Sequence, residues 1–211
     1  MNGKQVSKAT LQRLPSYLTY LRTVPYRENI SSAAIAGELG LGEIQVRKDL
    51  ASVSGCGRPK TGYRTDKLLA DLEEFLGYKN IDNAVVVGCG RLGMAILDYN
   101  GFSEYGMNIK AGFDADEAKV GVSQTGKEIL PTEKLEEYCT KYDIKIGILC
   151  VPPECAFQAC RMMVDAGIKA ILNFAPVCPS APEGIIVKNV NIAAQLAQLA
   201  NSMANREYSE I

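Results

Sequence analysis

The fold of this chain is decided by the stretch Ala84-Val85-Val86-Val87-Gly88-Cys89-Gly90-Arg91-Leu92-Gly93. The four apolar residues that open it predict a buried parallel strand. Helical spacing follows the strand, at Leu92, Ala95, Ile96 and Tyr99. A G-x-G-x-x-G therefore lies between a strand and a helix, where such a turn binds the pyrophosphate of a dinucleotide.

The three glycines of this turn have separate tasks. Gly88 permits the tight turn, Gly90 lets the pyrophosphate approach the backbone, and Gly93 lets the helix pack close to the strand. The helix N-terminus offers free N–H groups and a partial positive charge to the phosphates. The predicted cofactor loop is completed by Cys89, Arg91 and Leu92. The alternative is a tight strand–helix turn that binds no ligand.

A second predicted strand, Asn108–Asp114, ends in a carboxylate. Asp114 follows Gly93 by 21 residues, where a dinucleotide-binding fold places the acid that accepts hydrogen bonds from the adenine ribose. Asp116 and Glu117 come next, with Lys119 the nearby positive charge, so NAD(H) is favoured over NADP(H). The alternative role of Asp114 is to cap a helix or a solvated turn.

Strands and helices continue to alternate beyond this acid, which predicts a parallel sheet with its ligands at the carboxyl ends of the strands. Helices are predicted from Pro131 to Lys141 and over residues 154–166, and strands over residues 145–151 and 170–174. The candidates to line the nicotinamide side of the site lie at the carboxyl ends of these two strands. They are Val151, Pro152, Asn173 and Phe174.

The composition is that of an ordinary globular protein, with 47% hydrophobic and 22% charged residues in a chain of 211. No apolar run approaches the ~20 residues that a membrane helix needs. The first six residues lack the apolar core of a signal peptide, so a cytoplasmic location is expected. The chain has no histidine, the commonest general acid–base and nitrogen metal ligand. We therefore predict neither a catalytic residue nor a metal site.

The seven cysteines are scattered, odd in number and without a C-x-x-C pair. We expect them to be reduced and mostly structural, because disulfide frameworks and zinc sites have paired spacings. Cys89, inside the glycine turn, is the candidate for a reactive thiol.

Charge is unevenly distributed along the chain. Residues 1–67 carry eleven basic and five acidic residues, a net +6, whereas the remainder carries −7. A basic first third on an acidic body indicates that one end meets a polyanion.

The basic third has the pattern of a helix-turn-helix. A first helix is expected from about Ser7 to Arg22, with Leu11, Leu14, Leu18 and Leu21 on one face. A second helix, capped by Ser31 or Ser32, closes at Gly40, and a third runs from about Glu43 to Val53. Burial of its apolar face would point several polar side chains outward, toward a DNA major groove. These are Gln45, Lys48 and Ser52, with Arg47 on the flank.

The segment Ser54–Arg64 is rich in glycine and basic residues and predicts a wing that grips the DNA backbone or minor groove. Its candidate contacts are Arg58, Lys60 and Tyr63. The alternative is a small three-helix module with a solvated basic loop. A linking helix is expected from Asp66 to Tyr78, with a domain boundary near residue 80.

The tail from about Asn191 is expected to be helical. Its apolar residues Ile192, Leu196, Leu199 and Met203 form a narrow seam suited to a partner helix. A plain core helix would have nearly the same pattern, but we favour a second subunit.

Taken in order, these motifs resemble the Rex family of bacterial redox-sensing transcriptional repressors, over nearly the whole chain. The motifs are Gln45-Val46-Arg47-Lys48-Asp49-Leu50, Gly62-Tyr63, the glycine turn, Gly112-Phe113-Asp114, Lys119-Val120-Gly121, Val151-Pro152, and Gly167-Ile168-Lys169-Ala170-Ile171-Leu172-Asn173-Phe174-Ala175-Pro176-Val177.

The resemblance implies an α/β protein with an N-terminal winged-helix domain (residues 1–79), a Rossmann-type NAD(H)-binding domain (residues 80–190) and a C-terminal helix (residues 191–211) swapped onto the partner in a homodimer. It also implies a repressor that binds an inverted-repeat operator and is released by NADH. Arg22, Tyr99 and Asn191 would correspond to positions that relay the nicotinamide state to the DNA-binding domain.

Three features depart from the family pattern. Asn191 stands where an aspartate is usual, so a lock with Arg22 would be a hydrogen bond and not an ion pair. The wing has Pro59-Lys60-Thr61 in place of a more glycine-rich run, and Asp114-Ala115-Asp116-Glu117 lacks a common proline. Two alternatives stay open: a winged-helix repressor that senses another nucleotide, such as coenzyme A, or senses none, and an NAD-dependent oxidoreductase.

Overall fold

The computed structural model describes residues 6–79 and 82–207, with side chains to residue 203. The chain divides into two compact units, Met1–Asn80 and Ile81–Ile211. Each unit has its own hydrophobic core.

Residues 6–79 of the first unit form four α-helices and a two-stranded antiparallel sheet. In chain order these are α1 (Lys8–Thr23), β1 (Asn29–Ile30), α2 (Ser32–Leu39), α3 (Glu43–Ser54), β2 (Tyr63–Arg64) and α4 (Thr65–Phe75). Local chemistry sets the helix ends, because the Ser7 and Ser31 hydroxyls accept N–H groups from the first turns of α1 and α2. Gly40 ends α2 in a left-handed conformation. The linking helix is shorter than predicted and ends at Phe75.

The core of the first unit lies between α1, α3 and α4. Leu14 and Tyr17 of α1 are fully buried, together with Val46 and Leu50 of α3. Leu11, which we expected on the apolar face of α1, is 48% exposed. Thr10 occupies the buried face in its place, because its hydroxyl donates to Asp49. The first buried position of α1 is therefore held by the Thr10–Asp49 hydrogen bond and not by the packing of a leucine.

Asp49 is a buried carboxylate at the centre of a hydrogen-bond network that joins α1 to α3. It accepts hydrogen bonds from Arg13 (2.8 and 3.0 Å), from the Tyr17 hydroxyl (2.8 Å) and from the Thr10 hydroxyl (3.0 Å). Burial opposes ionisation of Asp49, but these hydrogen bonds outweigh it and hold its pKa below the ordinary value. Burial of Tyr17, and then its hydrogen bond to Asp49, raise the pKa of Tyr17 to about 12.

The second unit is built on a seven-stranded sheet with helices on both faces. Its strands are β3 (Asp82–Val87), β4 (Met107–Asp114), β5 (Gly121–Val122), β6 (Glu128–Pro131), β7 (Ile146–Leu149), β8 (Ala170–Asn173) and β9 (Ile186–Asn189). Its α-helices are α5 (Arg91–Asp98), α6 (Leu135–Lys141), α7 (Ala156–Asp165) and α8 (Ile192–Glu207). Short 3₁₀ turns cover residues 100–105, 117–119, 132–134 and 153–155.

The strands are ordered β5-β6-β4-β3-β7-β8-β9, and only the β5–β6 pairing is antiparallel. Side chains of β3 alternate between the two faces: Val85 and Val87 pack with α6 and α7, whereas Ala84 and Val86 pack with Leu97 of α5. Strand β3 pairs along one edge with β4, the next strand in the chain, and along its other edge with β7, so the strand order reverses at β3. A crevice at the carboxyl ends of the strands is expected at such a switch point.

Three strands of this sheet were not predicted. The segments that form β5, β6 and β9 contain four residues or fewer and lack a long β-branched run. Pro131, predicted to start a helix, is the last residue of β6, and the helix itself begins at Leu135. Helix α5 ends at Asp98, so Tyr99 lies beyond it. The residues that α5 buries are Gly93 and Leu97.

The C-terminal helix α8 exposes its apolar seam in the single chain. Ile192, Leu196, Leu199 and Met203 are 53–63% exposed. Apolar side chains in a continuous stripe indicate a surface that another element covers. Among the described residues, none of the helices has the length and apolar character needed to cross a membrane.

Asp49→Asn should lower the free energy of unfolding by about 2 to 3 kcal/mol at pH 7, since it leaves the Arg13 guanidinium without its carboxylate. The folded-state pKa of Asp49 is depressed, so its stabilisation is present above the unfolded-state pKa and is lost as the pH falls through the folded-state value. The difference from the wild type should be constant down to about pH 5 and shrink below about pH 4. Urea denaturation followed by circular dichroism measures both.

The control for this variant is Asp66→Asn, which removes an exposed carboxylate paired with Arg64 in the same unit. It should cause no comparable loss of stability. An Asp49→Asn protein as stable as the wild type at pH 7 would show that desolvation cancels the hydrogen bonds of this carboxylate.

Candidate functional site

The glycine turn joins β3 to α5 through two close backbone approaches. Gly88 has φ +94°, and a Cβ there would come within 2.5 Å of the Cys150 carbonyl oxygen. A Cβ on Gly93 would collide with the Gly88 carbonyl oxygen. Gly90, the N-cap of α5, has nothing within 4 Å of its added Cβ. Gly88 and Gly93 are therefore packed against the protein backbone, whereas the space beside Gly90 is open. This space lies next to the free N–H groups that begin α5.

Asp114, at the end of β4, is fixed against this turn. It is 8% exposed and accepts hydrogen bonds from the Cys89 N–H (2.7 Å), the Asp116 N–H (2.9 Å) and the Lys119 ammonium (3.0 Å). Burial opposes its ionisation, but these contacts outweigh burial and lower its pKa. Asp114 is thus an ionised acceptor held beside the glycine turn.

A cleft of about 500 Å³ lies at the carboxyl ends of β3, β4 and β7. Seven predicted site residues line it: Gly88, Gly90, Arg91, Leu92, Asp114, Val151 and Pro152. Gly93 is buried in the contact between α5 and β3. The volume is within the range of small-molecule sites.

Cys89 contributes its backbone to the turn but is not a reactive thiol. Its side chain is 3% exposed and lies against Gly112, with Sγ 3.7 Å from the Phe113 carbonyl oxygen. Burial, and then the negative charge of Asp114, raise the pKa of Cys89 to about 11. The expectation of reactivity is corrected, because a thiol with this pKa is almost wholly protonated at neutral pH. All seven cysteines are free thiols in the structure.

Asn173 and Phe174 do not line the cleft. The Asn173 side chain is fully buried; its Nδ2 donates to the Val177 carbonyl (2.7 Å) and to Asn189 Oδ1 (2.8 Å), and its Oδ1 accepts from the Ala175 N–H (2.9 Å). Phe174 packs partly against the core face that contains Leu97. The Asn173 amide therefore joins β8 to β9 and to the loop that follows β8.

The far wall of the cleft was not predicted from the sequence. That wall includes Thr132, Cys155, Gln158 and Met162. Thr132 could have been found only by recognising β6, because it follows that strand directly. The other three lie on or just before α7, whose existence was predicted but not the face it turns to the cleft. In the described ranges, no cluster of three or more metal-ligating side chains is present.

Helix α3 presents a polar face to solvent. Gln45, Arg47 and Lys48 are exposed, as predicted from the burial of Val46, Leu50 and Val53. Ser52, also predicted to point outward, is half-buried, and its hydroxyl donates to the Asp49 backbone carbonyl oxygen. Ser52 is therefore engaged within its own helix.

The segment before β2 forms a tight turn that exposes its basic residues. Arg58 pairs with Gly62 in an antiparallel bridge, and Lys60, at φ +65°, lies at the tip. Arg58 and Lys60 are exposed. Tyr63, predicted to contact DNA, is 6% exposed and belongs to the core, where its ring lies against Gly57. The correction follows from the pairing of Tyr63 with Ile30, which turns its side chain inward.

The three predicted relay residues each have local partners. Arg22 pairs with Glu73 at 2.9 Å, and its guanidinium lies over the ring of Tyr78. Tyr99 is 58% exposed and contacts Phe102 edge to face. The Asn191 side chain accepts the Ala194 N–H at 2.9 Å and so caps α8. The relay role of these residues remains a prediction.

Two family models match separate parts of the chain. One, described as a putative DNA-binding protein N-terminus, matches residues 5–51, and the other, a CoA binding domain, matches residues 79–177. Among solved structures, the repressor RSP in complex with β-NAD⁺ and operator DNA has a TM-score of 0.87 at 32% identity, covering 98% of this chain and 96% of that one. RSP in complex with β-NADH has a TM-score of 0.85 at 31% identity, covering 97% of both chains.

Curated relatives match over almost their whole length. The redox-sensing transcriptional repressor Rex of Carboxydothermus hydrogenoformans is 41% identical over 202 residues, covering 94% of this chain and 97% of that protein. The Rex protein of Bacteroides thetaiotaomicron is 38% identical over 201 residues, covering 94% and 91%. With a glycine turn and a fixed acid at one cleft, and a helix-turn-helix in the other unit, this chain belongs to the Rex family of redox-sensing transcriptional repressors.

Proposed function

We propose that this protein is a transcriptional repressor that binds an inverted-repeat operator and is released from it by NADH. One observation carries the proposal: a single chain holds both a dinucleotide-type cleft and a helix-turn-helix whose third helix exposes Gln45, Arg47 and Lys48. We assign DNA binding to residues 1–79, NAD(H) binding to residues 80–190 and subunit contact to residues 191–211. The family-model matches to residues 5–51 and 79–177 and the boundary between the two units support the first two assignments, and the RSP complexes with operator DNA and with β-NADH support the two ligands.

In the proposed function, NAD(H) binding depends on Gly90 and Asp114. The open space at Gly90 and the N–H groups of α5 suit a pyrophosphate. Asp114 accepts three hydrogen bonds from the protein, and two carboxylate oxygens offer about four acceptor positions, which leaves room for a ribose hydroxyl. A 2′-phosphate would meet Asp114, Asp116 and Glu117, so NADH should bind more tightly than NADPH.

The DNA end depends on the exposed face of α3 and on the turn at Lys60. Gln45 and Lys48 can reach base edges and phosphates, while Arg47, Arg58 and Lys60 suit the phosphate backbone. Coupling between the two ends is a linkage: NADH must bind the DNA-free form better, and DNA binding then weakens by the same factor.

A homodimer suits both the operator and the exposed seam of α8. A two-fold protein matches an inverted repeat, and its partner would cover Leu196 and Leu199. Regulation, and not catalysis, is the role that the relatives' names support. The match to a CoA binding domain keeps coenzyme A as a competing ligand to be tested.

Fluorescence anisotropy of a labelled inverted-repeat operator tests the proposal. NADH should release the protein at a much lower concentration than NAD⁺, NADPH or coenzyme A, at fixed salt. Release by coenzyme A alone would make coenzyme A the sensed ligand. Tight operator binding that none of the four compounds weakens would indicate a repressor that does not sense these ligands. Reduction of a small carbonyl compound with consumption of NADH would indicate an oxidoreductase.

Lys48→Ala should weaken operator binding about three- to tenfold and reduce the slope of log K against log salt by about one, if the ammonium contacts a phosphate. NADH affinity should not change, since Lys48 lies in the other unit. Lys188→Ala, which removes an exposed lysine from β9, is the charge-matched control. Loss of NADH binding in Lys48→Ala would contradict the assignment of Lys48 to the DNA groove.

Gly90→Ala should reduce NADH affinity by about tenfold or more, because its methyl group occupies the approach of the pyrophosphate. The protein should remain folded and bind the operator, since φ −72° suits alanine and the added Cβ meets no atom. Isothermal titration calorimetry and thermal unfolding separate the two effects. Gly93→Ala is the contrast, because its Cβ collides with the Gly88 carbonyl and should destabilise the fold itself.

A further inference from the structure

Arg13 of α1 contacts both Asp49 and Gln45 on neighbouring turns of α3. Its Nε and one terminal nitrogen, Nη2, donate to the two Asp49 oxygens at 2.8 and 3.0 Å. Nη1 and Nη2 lie 3.2 and 2.9 Å from one end of the Gln45 side-chain amide. Arg13, Gln45 and Lys48 line one surface groove of the first unit.

The chemistry of Arg13 decides which end of the Gln45 amide faces it. A guanidinium donates hydrogen bonds and accepts none, so the amide oxygen must face Arg13 and the NH₂ group must face away. Two donated hydrogen bonds fill the two lone pairs of that oxygen. The Gln45 side chain can then offer only N–H donors to a ligand.

We propose that Arg13 is a positioning residue that makes Gln45 a donor-only contact in the DNA major groove. A free glutamine amide pairs with adenine through both its ends, donating to N7 and accepting from the N6 amino group. Gln45, with its oxygen occupied, can donate only to acceptor atoms, which are N7 of either purine, O6 of guanine and O4 of thymine, and it cannot accept from the adenine amino group. Asp49 holds the Arg13 guanidinium, so the buried carboxylate contributes indirectly to base selection.

This inference rests on the proposed function, because it requires operator binding. Selection from a randomised duplex library with wild type and Gln45→Ala identifies the base pairs whose preference depends on Gln45. At those positions, each hydrogen-bonding group is then deleted by analogue substitution. A 7-deazapurine lacks N7, 2-aminopurine lacks the guanine O6, and 5-methyl-2-pyrimidinone lacks the thymine O4. Unsubstituted purine lacks the adenine amino group, and 2-pyrimidinone lacks the cytosine amino group.

Removing an acceptor should weaken wild-type binding by roughly five- to tenfold and leave Gln45→Ala binding unchanged. Removing an amino donor should affect both proteins equally. A Gln45-dependent penalty for loss of an amino group would overturn the inference, as would a selection in which no base preference differs between the wild type and Gln45→Ala. A wild-type protein that selects no sequence would instead overturn the proposed function, and the inference with it.

Arg13→Lys tests the positioning role by a readout that stability alone does not move. A lysine has one donor centre, which the Asp49 carboxylate should occupy, so the Gln45 amide is free to rotate. The variant should acquire a Gln45-dependent sensitivity to the adenine amino group, which the wild type lacks. Unchanged specificity in a folded Arg13→Lys protein would contradict the role of Arg13, and thermal unfolding establishes that it is folded.

Discussion

The second unit depends on the approach of α5 to the turn that precedes it. Gly93 packs so closely on the Gly88 carbonyl oxygen that no side chain fits between them. That approach sets the direction of α5 and therefore aims its free N–H groups at the cleft. A second close approach, of Gly88 to the Cys150 carbonyl, lies beside the Cys150 N–H···Val87 carbonyl hydrogen bond (2.8 Å) that joins the ends of β3 and β7. One backbone contact thus determines the place of the predicted pyrophosphate site.

The first unit depends on a polar contact instead. Asp49 is a buried charge in a mainly apolar core, and it joins α1 to α3 through Arg13, Tyr17 and Thr10. A carboxylate surrounded by directional donors fixes the rotation of α3 more strictly than apolar packing does. The exposed face of the recognition helix is therefore set by a buried group that would not itself touch DNA.

The sequence identified the elements with strong local signals. The β-branched run of β3, the glycine spacing and the acid at Asp114 are local patterns, and each was predicted at its observed place. The failures are positions where a tertiary contact decides. Tyr63 faces the core because β2 pairs with β1. The Asn173 side chain is hydrogen-bonded to Asn189 of β9, a strand that the sequence pattern does not predict. Burial, invisible in the spacing, makes Cys89 an inert thiol.

The hydrogen bonds of Asp114 bear on how a redox sensor can distinguish its ligands. The acid is already joined to the glycine turn through Cys89 and to Lys119, so the part of the cleft proposed to bind adenosine is preorganised and would lose little conformational entropy on binding. The two oxidation states of the cofactor have the same adenosine half, and a part that binds both equally cannot shift a conformational equilibrium. In such a cleft the rigid half supplies affinity to both forms, and discrimination must arise at the nicotinamide end.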